Sequence, residues 1–148
     1  MRLWLNELTL QECWICECLC SGFKHSVILS ASKSSGCKKI SETLLAGNEV
    51  LISPIAYYEV KRGLLAVKAE KRLLEFNAFC KVLGVGQLDN SLLDFAVVVY
   101  CELKDKKKTI EDADILTAAF CKSHGFTLVT NNIKHFDAIS GLNTCDWV

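Results

Sequence analysis

From Lys38 to the C-terminus, short runs of branched apolar residues alternate with longer stretches of helical spacing, and this alternation constrains the fold more than any other feature. Lys38 to Ala46 carries apolar side chains at Ile40, Leu44 and Leu45 and is followed by Gly47, which predicts a helix ending there. Glu49 to Ser53, built on Val50, Leu51 and Ile52, reads as a short strand. Ser53-Pro54 is a helix start, with Ser as the capping side chain and Pro where a missing N–H costs nothing. That helix is expected to reach about Leu65, with Ala56, Val60 and Leu64 on its buried stripe.

Lys68 to about Val82 follows as an amphipathic helix carrying Leu73, Leu74, Phe76 and Phe79, closed by Gly84-Val85-Gly86. A longer helix after Asp89 has Leu92, Ala96, Tyr100 and Leu103 at spacings of three and four and ends in the charged run Lys104 to Lys108. Thr109 and Asp112 stand three apart, a variant capping box ahead of a helix from Ile115 to His124 that Gly125 ends. Phe126 to Thr130 reads as a strand, Asn131-Asn132 as a turn, and Cys145 to Val148 as a last short strand. Strands separated by helices of this length predict an α/β fold, a parallel sheet flanked by helices, with ligands held at the carboxyl ends of the strands.

A chain of 148 residues, 51% hydrophobic, suits one domain around one core. Lys plus Arg and Asp plus Glu balance at 17 each, so a polyanionic partner would have to be held by local patches or by a metal. The longest apolar stretch, Leu92 to Tyr100, is broken by Asp94 and falls short of the roughly 18 residues of a membrane span. Asn6 and Glu7 interrupt the first apolar run before a signal peptide could form, and a cytoplasmic location is expected.

Three features converge on the carboxyl edge of the predicted sheet: Glu59 in the helix leaving one strand, Asp114 early in another helix, and Thr130-Asn131-Asn132 at a strand end. Two carboxylates and neighbouring amides are oxygen donors of the kind Mg²⁺ or Mn²⁺ prefers, and a hydrated ion there suits phosphodiester hydrolysis. Each feature also has a plainer explanation. Glu59 and Arg62 are spaced for a surface ion pair, Asp112 for capping, and the two asparagines for a turn. Asp114 has no such task, and its neighbours Ala113, Ile115, Ala118 and Ala119 mark a helix pressed closely on a sheet, where a carboxylate needs a partner.

The stretches from Ile52 to Leu64, Ile110 to Ala119 and Leu128 to Phe136 together resemble the PIN-domain family of VapC-type toxin ribonucleases, in order and in spacing, over about Lys38 to Val148. The resemblance implies a three-layer PIN-like fold, with Glu59 as the second acidic residue, Asp114 as the third, and Asn132 closing the site beside Thr130 and Asn131. It further implies metal-dependent cleavage of RNA, with Glu59 and Asp114 holding Mg²⁺ or Mn²⁺, inhibition by a cognate VapB-type antitoxin, and a homodimer. Asp137 is close in sequence and is assigned no role.

The family opens with an apolar strand ending in Asp-Thr-Asn, whereas no Asp precedes Asp89 here. Arg2 to Glu7 can occupy that strand, putting Asn6 at the place of the Asp with Glu7 beside it on the opposite face. Residues 1–37 are otherwise unlike the rest, which suggests an altered reading frame upstream of Lys38. They also hold five of the nine cysteines, and Cys13, Cys16, Cys18 and Cys20 raise a zinc-binding adaptor as a competing class, although no second Cys-x-x-Cys pair stands at a distance. Cys80, Cys101, Cys121 and Cys145 are expected to serve as core filler. A further alternative is an inactive PIN-like remnant that still binds an antitoxin.

Overall fold

The computed structural model describes residues 35–130 and 132–146. Arg2 to Glu7, Cys13, Cys16, Cys18, Cys20, Asn131 and the end of the predicted last strand lie outside them. The elements run α1 (Ser35–Leu45), α2 (Pro54–Ala66), α3 (Glu70–Leu83), α4 (Asn90–Asp105), α5 (Asp112–His124), β1 (Thr127–Val129), α6 (Ile133–Phe136) and β2 (Asn143–Cys145).

Local chemistry sets most of these boundaries. Ser53 caps α2 with its Oγ accepting from Ala56 N–H at 3.0 Å, and Pro54 opens the helix. Ala56, Val60 and Leu64 form the predicted buried stripe. Asp89 caps α4 through Leu92 N–H at 2.9 Å. That bond, followed by one from the Ser91 hydroxyl, holds the Asp89 carboxyl below its ordinary range. Gly125 ends α5 in the left-handed region, as its position predicts.

Other expectations need correction. Helix α5 begins at Asp112, not Ile115, and its N-cap is Glu111 with no side-chain capping bond, so the Thr109–Asp112 capping box does not form and Asp112 is an exposed first-turn residue. On α4 the buried position is Val99, one residue before the exposed Tyr100. Leu74 is exposed while Phe76 and Phe79 are buried. Cys80 and Cys121 fill the core, whereas Cys101 is exposed and Cys145 half-buried.

Strand pairing is parallel throughout the described residues. β1 pairs with β2 in register Thr127 to Asn143, Leu128 to Thr144 and Val129 to Cys145. The segment predicted as a strand over residues 49–53 contributes one bridge, Ile52 to Val85, in which Ile52 N–H donates to Gly84 O at 3.1 Å and Gly86 N–H donates to Ile52 O at 2.9 Å. Gly84-Val85-Gly86 therefore ends α3 and supplies a strand partner as well.

A cavity of about 440 Å³ is lined among others by Val50, Leu51, Thr127, Val129 and Cys145. Just beyond β1, Thr130 N–H donates to Cys145 O at 2.9 Å. Helices α2, α4 and α5 close the core around Phe76, Val99, Ala118, Phe120 and Leu128, with α4 packed along α5 and α2 against both α3 and α5.

Candidate active site

The carboxyl ends of both ladders lead directly into the residues of interest: Ile52 into Ser53 and α2, which bears Glu59, and β1 into Thr130, Asn132 and α6. Asp114 sits in the first turn of α5, where the helix dipole favours a carboxylate. It is fully buried, with Ala118 and Ala119 equally buried on the same helix. Its N–H donates to Glu111 O at 3.0 Å, which fixes the turn.

The carboxylate of Asp114 accepts a hydrogen bond at Oδ2 from His135 Nε2 at 2.7 Å. His135 was not among the residues that the sequence motif singled out. Its only sequence signal is a place three residues after Asn132, next to the apolar Phe136 that anchors α6 in the core. One turn along α5 from Asp114, Thr117 is also fully buried, and its Oγ1 has no hydrogen-bond partner among the described residues.

Glu59 is half-buried on α2, and its Oε2 is shielded from solvent. The expected ion pair with Arg62 is not formed: the guanidinium lies over the Tyr58 ring, 5.2 Å from its centroid. Farther along the same helix Lys61 Nζ donates to the Tyr57 hydroxyl.

Thr130 is buried, and its Oγ1 accepts from Asn132 N–H at 3.1 Å. Asn132 stands at the N-cap of α6 with an exposed side chain that makes no capping bond, and Asp137 is an exposed residue at the other end of that helix. Among the described residues no three His, Cys, Asp or Glu side chains gather closely enough to hold a metal by themselves. Glu59 and Asp114 are hard oxygen donors and fit Mg²⁺ or Mn²⁺ in kind. They fall short of a protein-only cage in number, so an ion bound to them would retain water.

Residues 26–142 match the PIN domain family, and the chain belongs to that family. Ribonuclease VapC2 of Rickettsia felis is 29% identical over 107 residues, covering 72% of this chain and 80% of the relative. Ribonuclease VapC2 of Haemophilus influenzae is 38% identical over 50 residues, and there the chain spans only 38% of the relative's length. Among solved structures, VapBC2 from Rickettsia felis, bound to a DNA fragment from its promoter, superposes with a TM-score of 0.69 at 27% identity, covering 76% of this chain and 85% of that one. The helix-rich architecture with parallel strand pairing is thus a PIN fold. No helix among the described residues is long and apolar enough to cross a membrane.

Proposed function

We propose that this chain is a VapC-type endoribonuclease, the toxin of a toxin–antitoxin pair, in which Glu59 and Asp114 bind Mg²⁺ or Mn²⁺ and Asn132, Thr130 and Asn131 complete the site's edge. The observation that carries this reading is a fully buried carboxylate, Asp114, in the first turn of a helix and hydrogen-bonded to His135, within a chain that matches the PIN family. A carboxylate is buried where it is paired or binds something, and the place of Asp114 in the first turn of α5 is in keeping with a ligand role toward a cation. A bound ion would supply the positive charge that polarises a phosphodiester and acidifies water. The protein's own part is to fix two carboxylates at the carboxyl edge of the sheet and to exclude bulk water from Asp114. The substrate is RNA, the partner is a VapB-type antitoxin, and the setting is the cytoplasm; a homodimer follows from the same likeness.

Asn6, or its neighbour Glu7, stands in for the family's first acid, and residues 1–37 form the part of the chain whose reading frame is in question.

Cleavage of RNA by the full chain in Mg²⁺, with and without EDTA, tests the assignment. Weak cleavage is expected from the chain as it stands, because two carboxylates position the ion less firmly than three. Asn6→Asp should raise it and Asp114→Asn should abolish it. Robust cleavage indifferent to EDTA and to Asp114→Asn would overturn the site and the metal chemistry together. Antitoxin binding without cleavage in any variant would mark an inactive remnant.

A further inference from the structure

A single run of hydrogen bonds joins β2 to Asp114. Cys145 O accepts from Thr130 N–H at 2.9 Å, Thr130 Oγ1 from Asn132 N–H at 3.1 Å, and Asn132 O from His135 N–H at 3.0 Å. The run ends on Asp114, whose Oδ2 accepts from His135 Nε2 at 2.7 Å. The imidazole is also set edge-on against Phe136, at 5.5 Å between centroids and 84° between planes, and Phe136 is itself buried. The His135 ring is therefore held from its backbone and from its side by groups that are part of the core and the sheet.

We propose that His135 is a positioning residue of this site: it fixes the rotation of the Asp114 carboxylate, so that Oδ1 keeps one orientation toward a divalent cation. The inference rests on Asp114 being a metal ligand. A carboxylate turning about its last bond presents either oxygen to an ion, and a donor clamped on Oδ2 removes that freedom. An ionised carboxylate can only accept, and with Nε2 as the donor the 2.7 Å separation suits a charge-assisted bond. The His135 side chain is 30% exposed while Asp114 is fully buried, so the imidazole reaches the carboxylate from the solvent side. Groups that orient a ligating carboxylate in this way alter metal affinity by about 10–100-fold when removed.

The test is calorimetric titration of the full chain with Mn²⁺, comparing the parent with His135→Gln, His135→Ala and Asp114→Asn, beside thermal midpoints in EDTA. Gln can place an amide N–H near the position of Nε2. His135→Ala is expected to bind Mn²⁺ about 10–100-fold more weakly than the parent, and His135→Gln to recover most of that loss. Should His135→Ala fail to fold, His135→Asn, too short to reach Oδ2, takes its place. A variant that melts earlier in EDTA but binds Mn²⁺ as tightly as the parent would make His135 a merely structural partner and overturn the proposal. So would His135→Gln as weak as His135→Ala. If Asp114→Asn loses the ion while His135→Ala keeps it, this inference alone fails. Mn²⁺ affinity unchanged by Asp114→Asn would take the metal-ligand assignment down with it.

Discussion

Gly86→Ala is the substitution whose cost can be read most directly from the structure. A β-carbon at Gly86 would lie 2.2 Å from Cζ and 2.4 Å from Cε2 of Phe120, well inside contact distance. The backbone cannot retreat without breaking the bond from Gly86 N–H to Ile52 O at 2.9 Å, which holds the first ladder together. Nor is the ring at liberty to swing away. Phe120 is 2% exposed, with the His124 and Phe126 rings at 4.8 Å and 6.0 Å. Forcing a methyl group into such a place costs about 1–3 kcal/mol, and because Phe120 shares α5 with Asp114, the displaced helix should also disturb the site. Urea unfolding followed by tryptophan fluorescence and circular dichroism would measure the loss. Phe120→Leu removes the atoms in conflict, so the double variant should be less destabilised than the sum of the two by about 0.5–3 kcal/mol. Gly47→Ala is the control. Its φ is +80° with open space around it, so it should cost only the backbone term of about 1–2 kcal/mol and show no coupling to Phe120. A Gly86→Ala chain within about 0.5 kcal/mol of the parent, or strict additivity with Phe120→Leu, would refute the reasoning.

Ser53→Ala should cost about 1 kcal/mol by removing the cap of α2, the helix that carries Glu59, and equilibrium unfolding that detects no loss would show the bond to be idle. Burial pushes the Cys121 thiol up to about 12, and burial, moderated by Lys61, raises Cys80 to about 11. The folded state therefore keeps both protons longer than the unfolded chain, and the associated stability is complete below about pH 9 and declines as pH rises toward 11–12. The slope should approach about 1.4 kcal/mol per pH unit for each thiol, and urea midpoints that stay level between pH 8 and pH 10 would contradict it. Purified protein should hold less than stoichiometric zinc, because four thiolates within so short a span make a poor tetrahedral site; elemental analysis giving about one zinc per chain, lost on mutating Cys16 and Cys18, would favour the adaptor instead.

The features written locally in the chain were legible before any coordinates. Ser53-Pro54 starts α2, Asp89 starts α4 and Gly125 ends α5 because caps and terminators act through bonds to residues within a few positions. The buried stripe of Ala56, Val60 and Leu64 follows from the helical period alone. The PIN likeness could be read for the same reason, since its three blocks are local and ordered. On α4 the same period groups Val99 with Leu92, Ala96 and Leu103 and leaves Tyr100 to one side, so the burial of Val99 is local information too. Tertiary structure decided the rest. Val85 became a strand partner because Ile52 is placed alongside it by the packing of α2 on α3. His135 was invisible as a site residue for a related reason: its contact with Asp114 spans 21 residues and exists only because α6 is pinned by β2 and by Phe136 beside the start of α5. Local bonds are encoded by spacing along the chain, whereas contacts of this length depend on where several independently packed elements come to rest.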